Sequence, residues 1–223
     1  NEETKNYALT AEGYTVEPPT ATMKNARTGG TPVTLSKNFI GEHIVYLDTE
    51  SLTDEKIFYT LASRASDSNT WTYSRDQLYD ANKGIYLGLQ DGKSVSYKIT
   101  AYAVSRGVKS QEITIDPQQF FDEQLSNKVF YIINDMHTVT VNTLDTSGNE
   151  VSKVYTYRYG DTVTVRITDE PENKRFRRWD MVLDDQKSKV VTFTMGAEDE
   201  TLTAEYYDLI KGVDLYFGYS GVK

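Results

Sequence analysis

Residues 174–180 read KRFRRWD, basic side chains interleaved with Phe176 and Trp179. Cations neutralise phosphate and rings stack on bases, so the pattern has the chemistry of a nucleic-acid groove. The rest of the chain opposes that reading. Its 24 Lys and Arg against 33 Asp and Glu leave a net charge of −9, a field that repels a phosphate backbone. The competing reading places Phe176 and Trp179 in a core. Lys174, Arg175, Arg177 and Arg178 then stay in solvent, paired with Asp180, Asp184, Asp185 or Glu172. No nucleic-acid partner is expected. Three apart in a flat strand, the two rings face opposite sides, so a shared core requires a bulge or tight bend between them.

Other chemistry has few handles. The chain has no Cys, which removes disulfides, thiolate metal sites and a cysteine nucleophile. His43 and His137 lie in different halves with no partner at metal-ligand spacing, and each is expected as a surface or half-buried strand residue. RTGGTP at 27–32 lacks the Lys-Ser/Thr of a phosphate cradle and reads as a turn. The acidic runs TDE, LDD and AEDE fall at turn-like positions, whereas a general acid needs an apolar pocket. DTSGNE at 145–150 carries oxygen ligands without the spacing of a calcium loop and reads as a hairpin turn. No catalytic residue, cofactor or metal is expected.

The remaining signal is aromatic. Among 17 Tyr, the cluster Trp71, Tyr73 and Tyr79 sits in a Ser/Asn/Asp-rich segment, with LYFGYSG near the end of the chain. Exposed rings stack on sugar faces, which makes Trp71, Tyr73 and Tyr79 candidate carbohydrate contacts. The competing role is ordinary strand packing, for which Tyr is also favoured.

These residues need a frame, and the frame is β. Thr, Val, Ile and Tyr alternate with period two along most of the chain, and long 3.6-period stretches are nearly absent. In the second half, TVTVNTL puts Val139 and Val141 on one face, and DTVTVRI does the same for Val163, Val165 and Ile167. VVTFTM groups Val191, Phe193 and Met195, and TLTAEYY groups Leu202, Ala204 and Tyr206. The first half has its own set, TPVTLS, HIVYLD, KIFYTLA, GIYLGL, SYKITAYAV and SQEITI, spaced as in a sandwich. Between the sets lies DPQQFFDEQLSNK. There Asp116 as cap and Pro117 at the first position predict a short helix facing Phe120, Phe121 and Leu125 to one side. The alternative is an irregular linker that plugs both Phe rings into the domain junction.

Two resemblances follow, one per half. Residues 137–207 carry YGDTVTV, RFRRW and VTFTMGAEDETLTAEY, in the order and spacing of the divergent internalin B-type repeat of bacterial surface proteins. Gly160, Asp161, Phe176, Trp179, Phe193, Met195, Ala204 and Tyr206 occupy matching places, and Arg177 and Arg178 depart from the family's small residues. Residues 22–115 carry GTPVTLS, IFYTL, KGIYL and YKITAYAVSRGVKSQEITI, and resemble the chitobiase/β-hexosaminidase C-terminal-type module, an immunoglobulin-like sandwich. YTLASRASDSN replaces that family's turn after the Tyr-Thr strand. Both resemblances imply non-catalytic modules on secreted or wall-attached proteins.

The expected organisation is all-β. An immunoglobulin-like β-sandwich spans 1–117, a linker 118–128, and a small repeat-type domain, β-grasp-like or compact and antiparallel, 129–223. The expected setting is extracellular, at the cell wall or surface of a Gram-positive bacterium. The expected partners are neighbouring modules of the same chain and a host or cell-wall glycan or protein. The expected role is adhesion or spacing, the alternative a carbohydrate-binding accessory region of a secreted glycosidase. No apolar run reaches the roughly 18 residues of a membrane span, so insertion is not expected. The opening NEETKNYALT lacks Met and a leader pattern, which reads as a trimmed mature region or, alternatively, a cytosolic protein.

Overall fold

The structure, a computed structural model, describes residues 14–49, 54–122 and 128–209. Two compact units divide between Asn134 and Asp135. In the first, the strands are β1 (Thr20–Asn25), β2 (Thr34–Leu35), β3 (Asn38–Ile40), β4 (His43–Asp48), β5 (Lys56–Ala65), β6 (Thr72–Leu78), β7 (Ile85–Leu87), β8 (Val95–Ser105), β9 (Val108–Lys109), β10 (Ile113–Thr114) and β11 (Phe130–Ile133). The second contains β12 (Met136–Leu144), β13 (Glu150–Arg158), β14 (Thr162–Arg166), β15 (Lys174–Trp179), β16 (Val190–Thr194) and β17 (Glu200–Asp208). The fold is all-β, as the alternation predicts. Among the described residues no helix is long and apolar enough to cross a membrane.

The first unit is a sandwich. A three-stranded sheet β1-β4-β7 faces an eight-stranded sheet whose main path is β2-β3-β11-β8-β5-β6. Alternation along β8 sends Val95, Tyr97, Ile99 and Ala101 inward, where they meet Met23, Val45, Leu47, Ile85 and Leu87 from the smaller sheet. The opposite residues of β8, Lys98, Thr100 and Tyr102, stand on the outer face.

The segment expected as an inter-domain linker belongs to this unit. Pro117–Phe120 forms a short 3-10 helix, capped by Asp116, whose carboxylate accepts from Gln118 N–H at 3.0 Å. Phe120 and Phe121 pack on the sandwich core, with the Phe121 ring 4.2 Å from that of Phe39. Leu125 lies outside the described residues. The strand β11 then pairs with β8 and, in parallel, with β3. The first unit therefore runs to Asn134, past the expected boundary at 128. Both edges of FYII are paired within the first sandwich, and Phe130 and Ile132 join its core.

In the second unit a four-stranded sheet, β13-β12-β17-β15, packs on the two-stranded antiparallel sheet β14-β16. The expected inward residues Val139, Val141, Val163, Val165, Ile167, Val191, Met195, Leu202 and Ala204 form its core, with Phe193 and Tyr206 packed against it. β12 and β17 run parallel, which departs from the compact antiparallel alternative and not from the β-grasp-like one. Parallel neighbours need a long connection, and the fifty-odd residues between these strands hold β13 to β16. DTSGNE makes the β12-β13 hairpin, with Asp145 Oδ1 accepting from Ser147 and Asn149 N–H at 2.9 Å each.

Candidate functional site

KRFRRWD forms β15, at one edge of the four-stranded sheet. Its register against β17 slips between Phe176 and Arg178: Phe176 faces Tyr206, Arg178 faces Glu205, and Arg177 is the extra residue. That bulge turns both rings inward. Trp179 is fully buried and Phe176 nearly so, with ring centroids 5.5 Å apart. The Trp179 indole N–H donates to the Ser188 carbonyl at 3.0 Å. Two of the cations are closely matched, though not by the carboxylates expected from chain proximity, while Arg175 donates to backbone carbonyls. Arg178 donates to both oxygens of Glu205 at 2.8 and 3.0 Å, and Lys174 reaches Asp208 at 2.6 Å. Both acceptors come from β17, because strand pairing brings them opposite. The Arg178 hydrogen bond holds the Glu205 carboxyl below its ordinary range. Asp180 instead accepts from Thr203 N–H.

The second basic and aromatic surface lies on the first unit, on the outer face of the eight-stranded sheet, and only part of it is legible in the sequence. Trp71 precedes β6 and Tyr73 lies on it. Tyr73 pairs with Ala62 of β5, which pairs with Lys98 of β8, so all three side chains share the outer face. The Arg64 guanidinium lies 5.0 Å and the Lys98 ammonium 4.6 Å from the Trp71 ring centre. Arg75 lies 4.8 Å from the Tyr73 ring centre, and Tyr73 is 51% exposed. Two rows further, Leu78, Phe58 and Tyr102 align across β6, β5 and β8. The Phe58 and Tyr102 rings stack at 5.6 Å, and Lys109 sits 3.5 Å from the Tyr102 ring centre. Burial and then the hydrogen bond to Asp76 push the Tyr102 hydroxyl up. Phe58, Tyr102, Lys98 and Lys109 were missed because they come from strands far apart in the chain.

Tyr79 does not join this face. Simple alternation groups residues 71, 73 and 79, but the β5-β6 register shifts between Tyr59 and Leu61. β6 there carries one extra residue, with Asp76 at φ +47°. Beyond the shift the faces exchange. Tyr79 turns to the core, lies edge-on to Tyr59 at 6.4 Å, and accepts from Leu47 N–H at 2.9 Å. Burial pushes its hydroxyl up. The candidate sugar contact at Tyr79 is thus a packing residue, while Trp71 and Tyr73 remain together. The other aromatic stretch, LYFGYSG, lies outside the described residues.

His43 is fully buried, against the expectation of an exposed or half-buried residue. Its Nδ1–H donates to the Gly41 carbonyl at 2.9 Å and its Nε2 accepts from Val33 N–H at 3.2 Å, a pattern that requires the neutral ring. His137 is half-buried, 3.9 Å from Asp199. Among the described residues no three His, Asp or Glu side chains converge as for a metal ion. A groove of about 540 Å³ in the second unit runs between β13 and β14, with Val151, Tyr155 and Ile167 in its lining. Lys153 and Arg166 offset Asp145 and Asp169 there, so it favours neither sign of charge. No protein-family model, curated protein or solved structure matches this chain.

Proposed function

We propose that this chain is a non-catalytic region of an extracellular, wall-attached or cell-surface protein, acting as adhesion and spacer modules. The first unit is read as the immunoglobulin-like module of chitobiase/β-hexosaminidase C-terminal type, the second as an internalin B-type repeat. Neighbouring modules of the same chain and a host or cell-wall glycan are the partners. The observation that carries the reading is the outer face of the eight-stranded sheet, where Tyr73, Phe58 and Tyr102 share one side and Trp71 lies beside Arg64 and Lys98 of the same side. Flat ring arrays suit an extended chain of sugars, which adhesion requires, better than a small substrate, which needs enclosure.

The test is titration of the full chain against a panel of neutral and charged glycans. Binding in the range of roughly mM to μM is expected, lost in Tyr73→Ser with the melting temperature unchanged. Binding to none of the panel, or binding indifferent to Tyr73→Ser, removes this face from adhesion. The accessory-region alternative uses the same face; it gains if the parent protein hydrolyses the glycan that is bound.

A further inference from the structure

The same face has an imbalance of charge that the rest of the molecule does not prepare for. Carboxylates outnumber cations in this chain, and in both units several cations pair with one. Lys174 meets Asp208, Arg178 meets Glu205, Lys189 meets Glu170, and Arg158 meets Asp135. On the outer face of the first unit, Arg64, Arg75, Lys98 and Lys109 form no ion pair with a described carboxylate. Each instead lies over a ring, on Trp71, Tyr73 or Tyr102. Asp76 and Glu112 are the acidic groups that act on Tyr102, and an oxygen of Asp76 already accepts from the Tyr102 hydroxyl at 3.1 Å. A ring quadrupole is a weak substitute for a carboxylate, worth about 0.5–1 kcal/mol at an exposed site. The cations therefore keep most of their capacity for an anion arriving from solvent.

We propose that this face binds an anionic polysaccharide. Exposed Tyr73 and the half-buried Trp71 and Tyr102 take the apolar faces of the sugars, and Arg64, Lys98 and Lys109 take their carboxylates. The inference rests on the adhesive reading above and narrows it to one ligand chemistry. A carboxylated glycan fits better than nucleic acid because each acidic sugar brings an apolar face for a ring together with a carboxylate for the cation beside it. The cations here, on β5, β6, β8 and β9, each lie beside a ring, the alternation such a chain of acidic sugars requires.

The experiment is calorimetric titration of the full chain with polygalacturonate and with hyaluronate, each beside its methyl-esterified form, at low and high salt. The acid forms are expected to bind and the esters not to, with affinity falling as salt rises. Lys98→Gln and Lys109→Gln should each weaken binding by about fivefold. Lys24→Gln, which removes a cation from over Tyr46 on the smaller sheet, should not. Circular dichroism melts confirm that each variant is folded. Equal binding of acid and ester overturns the charge assignment yet leaves sugar adhesion standing. Neither acid binding while a neutral glycan of the panel does has the same meaning. Tighter binding of a single-stranded oligonucleotide, or equal weakening by Lys24→Gln, also overturns the proposal.

Discussion

The strand β15 of the second unit and β6 of the first both interleave cations with rings, both lie at a sheet edge, and both carry one extra residue. They end in opposite states. In β15 the bulge at Arg177 brings Phe176 and Trp179, which alternation would separate, to the same buried face. In β6 the bulge at Arg75 and Asp76 separates Tyr79 from Trp71 and Tyr73, which alternation would unite. The partner strand completes the difference. β17 presents Glu205 and Asp208 to the cations of β15, while β5 and β8 present Arg64 and Lys98 to the rings beside β6. One region becomes core with a neutralised rim. The other stays open and positively charged.

The sharpest way to break this comparison is to truncate each indole. Trp179→Ala should cost the second unit about 3–5 kcal/mol, since it leaves a cavity and an unpartnered Ser188 carbonyl. Trp71→Ala, which uncovers only part of an outer face, should cost the first about 1 kcal/mol. Urea midpoints decide, and similar losses would erase the distinction between buried and open rings.

The two tyrosines on either side of the β6 bulge give a smaller effect. Tyr79→Phe removes the acceptor of a backbone N–H and should cost about 1 kcal/mol, whereas Tyr73→Phe should change stability by less than about 0.5 kcal/mol. If Tyr73→Phe proves the costlier, the face exchange at Asp76 is wrong.

Acid should separate the units by the least. In the second unit, hydrogen bonds hold four carboxyls below their ordinary range. Backbone N–H groups of Asn149 and Thr138 do so for Asp145 and Asp199. Arg178 does so for Glu205. For Glu170 burial acts in the opposite direction, but Lys189 and Phe176 N–H outweigh it. Among the described residues of the first unit, Asp67 beside Lys93 is the one carboxyl lowered in this way. A folded form with depressed carboxyl pKa values binds fewer protons than the unfolded chain. Its added stability is therefore present above the ordinary carboxylate range and lost as pH falls through the folded values. Hydrogen exchange followed residue by residue should show β12 and β17 losing protection at higher pH than β8. Loss in step would mean that the ion pairs of the second unit carry no more stability than those of the first.

Alternation alone specified an all-β chain and most of the second core, because inward residues such as Val139, Val163 and Leu202 repeat at the period of the pleat. It was silent on β6, TYSRDQL, and on most of β13, EVSKVYTYR. These two edge strands are exposed along most of both faces, so no hydrophobic period marks them. Parity also carries only as far as the next bulge, and a bulge is set by the register of the neighbouring strand rather than by the residues it displaces. For that reason the burial of Trp179, the withdrawal of Tyr79, the pairing of Arg178 with Glu205 and the membership of β11 in the first unit were decided by tertiary structure. The residue types of the open face were visible from the start. Their assembly from β5, β6, β8 and β9 was not, since cross-strand neighbours share a surface only after the sheet has chosen its order.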